Sequence, residues 1–236
     1  MYYAVSDIHG CYRKFEKLLD IINFSNDKDV LFVLGDTIDR GDEGIRVLQL
    51  MMEFDHIVPI IGNHEKMAYE ILRQLESKIV MDSEKVRHKH LRAIYPICGL
   101  WFQDGGIPTL RGYSKLRRNE RLKVLEYIGD SLPFFELKVN KTKYVMLHAG
   151  ISDFVPGKEL WEYHSEAFLF ERMNYEKVYF EDAYIVSGHT PTDLIDKELS
   201  GRIIQKNRHI AIDCGAYWGK PLGCICLDTL EEFYSN

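Results

Sequence analysis

Three times in its first 77 residues the sequence passes from a short apolar run, through a polar turn holding glycine, into apolar residues spaced as on one face of a helix. The runs are Tyr2 to Val5, Val30 to Leu34 and Ile57 to Ile61. The helical faces that follow are Tyr12, Phe15, Leu18, Leu19 and Ile22; then Ile45, Leu48 and Met52; then Met67, Ile71, Leu72 and Leu75. A run of four or five apolar residues is too short for a helix and suits a strand buried on both faces. Strands alternating with crossover helices in this way predict an α/β protein.

The middle of the chain reads differently. Ser77 to Arg92 is charged and helical in pattern, Gly105-Gly106 interrupts it, and Tyr113 to Tyr127 has helical spacing again. Residues 77–130 are therefore expected to form a helical insertion capping the sheet edge within one domain spanning 1–236. Beyond it, Phe134 to Val139 and Tyr144 to Leu147 flank Asn140-Lys141-Thr142-Lys143, which reads as a hairpin. Further strands are expected at Tyr184 to Val186, Arg202 to Gln205, His209 to Ile212 and Gly223 to Leu227.

Composition narrows the class of protein. With 46% hydrophobic and 28% charged residues the chain can bury an ordinary globular core. No eighteen-residue apolar run is present and the first residues lack a signal-peptide pattern, so a cytoplasmic location with no membrane partner is expected. A net charge of −6 disfavours a nucleic-acid partner. Five cysteines without C-x-x-C spacing argue against a disulfide framework and a zinc knuckle, and Cys224 and Cys226 read as small buried residues of one strand face.

The turns after the strands carry the chemistry: Asp7-Ile8-His9-Gly10, Gly35-Asp36-Thr37-Ile38-Asp39-Arg40-Gly41, Gly62-Asn63-His64-Glu65, Leu147-His148-Ala149-Gly150 and Ser187-Gly188-His189-Thr190. Ligand-type side chains at strand ends of an α/β sheet point into the crevice where such folds place their sites. Asp7 and His9 stand two apart, so in an extended segment both face one way and can grip one ion. Asp36 has two carboxylate oxygens with which to bridge two ions, Asn63 offers a carbonyl oxygen, and His148 and His189 offer ring nitrogens. Mixed oxygen and nitrogen donors without thiolate suit manganese, iron or zinc with positions left for water. A single histidine after a strand is ordinarily just a satisfied surface or core residue; six such donors in five turns are not.

Taken in order, D-x-H-G, G-D-x-x-D-R-G, G-N-H-E, H-A-G and G-H-T resemble the motifs of the calcineurin-like metallophosphoesterases, and among them the bacterial and phage serine/threonine protein phosphatases. The resemblance extends to Ile212-Asp213-Cys214-Gly215-Ala216. It implies a sandwich of mixed β-sheets flanked by helices with the active site at the C-terminal ends of strands. It also implies two divalent metal ions, manganese foremost with iron or zinc as alternatives, the first held by Asp7, His9 and Asp36 and the second by Asp36, Asn63, His148 and His189. By the same resemblance His64 is the general acid oriented by Asp39, and Arg40 and Arg172 clamp the phosphate, Arg172 by likeness of Phe170-Glu171-Arg172 to a W-x-R segment. Glu65 and Asp213 are left outside the ligand set, as acids that hold other groups by hydrogen bonds.

The implied reaction is hydrolysis of a phosphate monoester, by in-line attack of a metal-bridging hydroxide, on phosphoserine or phosphothreonine of a protein or on a small phosphoester. One departure stands out: many relatives carry arginine before G-N-H-E, and this chain has Ile61. Lys66, Arg111 and Lys115 are the candidates to replace it. The rival activity is that of a symmetrical diadenosine tetraphosphate hydrolase or related nucleotide phosphohydrolase, whose corresponding turn typically lacks the second aspartate. The presence of Asp39 places the monoester reading first. A catalytically silent binding module comes last, since every ligand-type residue is retained.

Overall fold

The computed structural model describes residues 1–78 and 98–236, so most of the helix expected over Ser77 to Arg92 lies outside the described residues. The strands form two five-stranded sheets. In the first, β1 (Tyr2–Val5), β2 (Val30–Leu34) and β3 (Ile57–Ile60) pair in parallel. The second contains β4 (Phe134–Val139), β5 (Thr142–Leu147), β6 (Ala183–Ser187), β7 (Ile204–Lys206) and β8 (His209–Ala211), with β5, β6 and β8 parallel. The chain then returns to the first sheet, where β9 (Leu222–Cys226) lies antiparallel to β1 and β10 (Glu232–Ser235) antiparallel to β9.

Successive residues of a strand face opposite ways, and the burial follows that alternation. Ala4, Phe32, Leu34 and Ile60 of the first sheet meet Met146, Val186 and Ile210 of the second, forming the seam between the sheets. Their neighbours Tyr3, Val5, Leu31 and Val33 face outward and pack on α1 (Tyr12–Ile21) through Phe15, Leu18 and Leu19, and on α2 (Gly44–Met51) through Val47 and Met51. Burial on both faces is why these strands read as unbroken apolar runs. Cys224 and Cys226 share the helix-facing side with Val5 and Tyr3, as their alternation predicts.

A separate cluster joins Ile45 and Leu48 of α2 to Ile71 and Leu72 of α3 (Asn63–Lys78), Trp101, Tyr113 of α4 (Ile107–Ser114), and Val124, Leu125 and Ile128 of α5 (Arg118–Gly129). After α5 the chain runs beside β3: Leu132 N donates to Pro59 O at 3.0 Å and Ile61 N to Leu132 O at 2.8 Å. Those bonds cover the open edge of the first sheet, which would otherwise present unpaired backbone groups.

Local boundaries depart from the sequence pattern in three places. The helix expected over Tyr113 to Tyr127 is two helices, divided at Arg117, whose backbone is extended and whose N–H donates to Glu120 Oε2 at 2.7 Å. The hairpin turn is two residues, Asn140 and Lys141, with φ of 48° and 74°; Thr142 and Lys143 belong to the ladder. Two left-handed central residues match the twist of paired strands, which selects the shorter loop. The edge strand β10 is partly exposed and mixed in polarity, so it carries no apolar run to announce it.

Candidate metal centre and active site

All five chemistry-bearing turns lie at the C-terminal ends of parallel strands: β1, β2 and β3 in one sheet, β5 and β6 in the other. The turns are tied to one another before any side chain is considered. Asp7 N donates to Gly35 O at 3.1 Å, His9 N to Asp36 O at 2.8 Å and Gly10 N to Thr37 O at 2.9 Å. Gly188 N donates to His148 O at 2.9 Å, joining the two turns of the second sheet. Glu65 fastens the turns after β2 and β3 together: its carboxylate accepts from Asp36 N at 2.7 Å, Thr37 N at 2.8 Å, Thr37 Oγ1 at 2.8 Å and Gly62 N at 3.1 Å.

The backbone is bent hard to do this. Asp7, His9, Asp36, Asp39, Arg40 and His189 have φ of 49°, 44°, 54°, 67°, 65° and 62°. Left-handed non-glycine residues are uncommon, and their concentration here marks a place where strain is held by the surrounding bonds.

Two groups of donors converge, His9 with Asp36 and His64, and Asp36 with His148 and His189; within each, the ligand atoms lie within 4.8 Å of one another. Asp36 is common to both. Its carboxylate stands 3.4 Å from His148 Nε2, 3.6 Å from His9 Nε2 and 3.8 Å from His64 Nε2. Those gaps are long for hydrogen bonds. They are close to the roughly 3.0–3.4 Å that separates neighbouring donors around one ion with bonds of about 2.1 Å. Asp7, 3% exposed, holds its position by accepting from His189 N at 2.9 Å, and Asn63 Oδ1 stands 2.9 Å from His148 Nε2.

The tautomers point the same way. His9 Nδ1 donates to Ile38 O at 2.9 Å and His148 Nδ1 to Leu34 O at 2.7 Å, which leaves each Nε2 with its lone pair directed at the cluster. His148 Nε2 and Asn63 Oδ1 are then two acceptors facing each other, an arrangement a cation resolves. At His9 the Nε2 lone pair accepts from Arg40 Nη1 at 2.7 Å, so the guanidinium and a cation compete for the same lone pair.

Burial sets the electrostatics. Desolvation, then the neighbouring Asp36, pushes Asp7 up to about 8; desolvation lifts Asp36 to about 7, with His64 pulling down and Glu65 adding to the rise. Desolvation lowers His148 to about 4, and with His148 and Arg172 beside it lowers His189 to about 3. Neutral imidazoles around carboxylates too crowded to ionise freely are a donor set that two divalent ions would satisfy. His64 differs: burial works against its charge, but Asp36 and the 2.7 Å bond from Nδ1 to Asp39 Oδ2 raise it to about 9.

Of the residues singled out in the sequence, Asp7, Asp36, Arg40, Asn63, Arg172 and His189 line a cleft of about 510 Å³, and His9, Asp39, His64 and His148 lie buried behind it. Arg172 is exposed and Arg40 half-buried. Lys66, Arg111 and Lys115 are not among the described residues that line this cleft; Lys66 is engaged with Glu70 and Glu166. Ile61 follows the last residue of β3, and its N–H donates to Leu132 O.

Sequence reasoning missed the supports of Asp39, whose Oδ2 also accepts from Trp101 Nε1 at 2.7 Å and whose N–H donates to Thr109 Oγ1 at 2.9 Å. It also missed Trp218 at the cleft wall, although the glycines on either side of Ala216-Tyr217-Trp218 were there to be read.

Comparison with known proteins agrees with this architecture. A symmetrical bis(5'-nucleosyl)-tetraphosphatase of Wigglesworthia glossinidia brevipalpis is 42% identical over 65 residues, 27% of this chain and 24% of that protein. Serine/threonine-protein phosphatase 2 of Salmonella typhimurium is 28% identical over 151 residues, 64% of this chain and 59% of the phosphatase. The chain thus spans about a quarter to three fifths of these relatives' lengths. A crystal structure of a proposed diadenosine tetraphosphatase superposes with a TM-score of 0.66 at 15% identity, covering 99% of this chain and 91% of that one. A serine/threonine phosphatase structure from Saccharomyces cerevisiae gives 0.58 at 13%, over 94% and 71%. At such identities the likeness is one of fold. The model of the calcineurin-like phosphoesterases matches residues 2–193, and the chain belongs to that family.

Proposed function

We propose that this chain is a metal-dependent phosphohydrolase whose substrate is a dinucleoside polyphosphate cleaved at the centre of its phosphate chain. The observation that carries the metal-dependent chemistry is the pair of buried donor clusters sharing Asp36, with Arg40 and Arg172 at the open side of the same cleft. The choice of substrate is supported by the tetraphosphatase relative at 42% identity and by isoleucine at position 61, where a phosphoprotein-type clamp would place arginine. This reverses the order reached from Asp39 alone. A histidine held by an acid can protonate an anhydride leaving group too, although such a group needs the proton less than an alkoxide does, so Asp39 does not exclude either substrate.

Asp7, His9 and Asp36 would hold one ion and Asp36, Asn63, His148 and His189 the other. When bound, two such ions lower the pKa of a shared water and neutralise phosphate charge. The guanidinium forks of Arg40 and Arg172 match phosphate oxygens and would fix the chain for in-line displacement. The oxygen of one water bonds to an inner phosphorus, the central P–O bond breaks, and two nucleoside diphosphates leave. His64, pinned at Nδ1 by Asp39 and pushed towards its charged form, would supply a proton from Nε2 to the departing oxygen.

The decisive comparison uses manganese-loaded protein with diadenosine tetraphosphate and a phosphoserine peptide under identical conditions. A higher kcat/KM for the dinucleotide, with ADP as its nucleotide product, is expected. A higher value for the peptide would return the chain to the protein-phosphatase reading, which the Salmonella relative supports over 64% of the chain.

A further inference from the structure

An exposed tryptophan beside a phosphate-binding cleft calls for an explanation, because the loop that carries it is built to hold it out. Ala216–Trp218 is a single 3-10 turn bracketed by Gly215 and Gly219, both at φ 82°. Ala216 is buried, while Tyr217 and Trp218 are 38% and 63% exposed. The turn is bolted down from several sides. Lys14 of α1 donates to Ala216 O at 2.9 Å and to Lys220 O at 2.5 Å. Lys220 Nζ reaches Asp193 at 2.6 Å and Ser200 at 2.7 Å, and Asp213 Oδ1 accepts from Gly215 N at 2.9 Å.

Trp218 is also the wall between two recesses. On one side is the 510 Å³ cleft over the donor clusters; on the other is a second cleft of about 430 Å³, with Phe102, Ile107 and Pro108 among its lining. Arg40 borders both, its guanidinium carbon 5.8 Å from the indole centroid and its N–H bonded to Gly105 O at 2.9 Å. A cation centred between two recesses, one of them edged by the rings of Phe102, Tyr217 and Trp218, matches a polyanion with a flat aromatic group beyond its end. Asp104 lines both recesses as well, a carboxylate able to accept from an exocyclic amine.

We infer that the second cleft receives one nucleobase of the substrate and that Trp218 is the surface on which that base stacks. The inference rests on the dinucleotide reading above and adds where one of the two nucleosides goes. A ring already immobilised by its loop loses little freedom when a base lies on it, which is the condition under which stacking contributes most to affinity. Tyr217, edge-on to Trp218 at 5.0 Å between centroids, buttresses the indole from the side.

The test is calorimetric titration of manganese-loaded wild type, Trp218→Ala and Trp218→Phe with the methylene-bridged analogue of diadenosine tetraphosphate and, separately, with methylenediphosphonate, which has no base. Trp218→Ala is expected to weaken the dinucleotide analogue about tenfold, within the range of single-base stacking. Binding of methylenediphosphonate stays the same, and Trp218→Phe retains most of the affinity for the analogue. Equal weakening of both probes, no weakening of either, or no binding of the analogue to wild type would overturn the inference. The two readings fail separately: protein that binds the analogue through Trp218 yet prefers a phosphopeptide as substrate refutes the dinucleotidase and leaves the stacking surface standing.

Discussion

His64 is fully buried, which works against its charge, as does Arg40 with Nη2 3.2 Å from Nε2, yet Asp36 at 3.8 Å from Nε2 and Asp39, which holds Nδ1 at 2.7 Å, push its pKa up. A ring so placed is a poor metal ligand and a good proton donor, although its Nε2 falls within the same donor group as His9 and Asp36. The two roles predict different outcomes on substitution. If His64 donates a proton, His64→Asn lowers kcat roughly a hundredfold or more on an alkyl phosphate, whose leaving oxygen needs protonation. The loss shrinks on p-nitrophenyl phosphate and on diadenosine tetraphosphate, whose leaving groups depart as stable anions, and bound manganese stays at two ions. Equal losses on all three substrates, or loss of one ion, would assign His64 to the metal instead.

At the scale of elements, the site depends on how closely the turn after β2 approaches the turn after β3. Gly35 is at φ 78°, and a Cβ there would sit 2.5 Å from Gly62 Cα and 2.7 Å from His148 Nδ1. The first is backbone of the turn after β3 and the second is a ring held by Leu34 O, so neither can readily give way. Gly35→Ala is therefore expected to destabilise the protein by roughly 2–6 kcal/mol from left-handed strain and overpacking together. Urea denaturation measures the loss, and metal analysis should show reduced occupancy, because Asp36 and His148 are displaced with it. The same geometry explains what could be read from sequence. Asp7, His9, Asp36, Asn63, His148 and His189 were legible because each sits in a polar turn directly after an apolar run, where strand order alone brings the side chains to one end of the sheets. Trp101 was not, since its bond to Asp39 spans 62 residues and nothing local marks it. The split between α4 and α5 was hidden because Leu116 and the apolar positions of both helices continue one spacing through the break.

For the whole molecule, the donor clusters make folding depend on pH and on metal together. In the metal-free protein Asp36 rises to about 7 and Asp7 to about 8, both from a carboxylate value of 3.8, and His64 rises from 6.5 to about 9. Each folded-state pKa lies above its unfolded value, so each contribution to stability is present at low pH and is lost as pH climbs through the folded pKa. The lowered histidines, His9, His148, His189 and His209, oppose this only where an unfolded histidine still holds its proton; about one pH unit above 6.5 they are mostly neutral in folded and unfolded chains alike and contribute little slope. Between about pH 7.5 and 9 the folded, metal-free chain therefore binds more protons than the unfolded one, and its stability falls as pH rises. Divalent ions that bind only the folded clusters take the place of those protons and stabilise by mass action, all the more as ionised carboxylates become available. Thermal denaturation in chelator is expected to give a Tm that drops from about pH 7.5 to 9, while saturating manganese raises Tm and widens the gap between the two series towards pH 9. A metal-free Tm that holds level or rises over that window would mean that Asp7, Asp36 and His64 are not the protonated, crowded group that their burial makes them, and the case for two ions at Asp36 would lose its electrostatic basis.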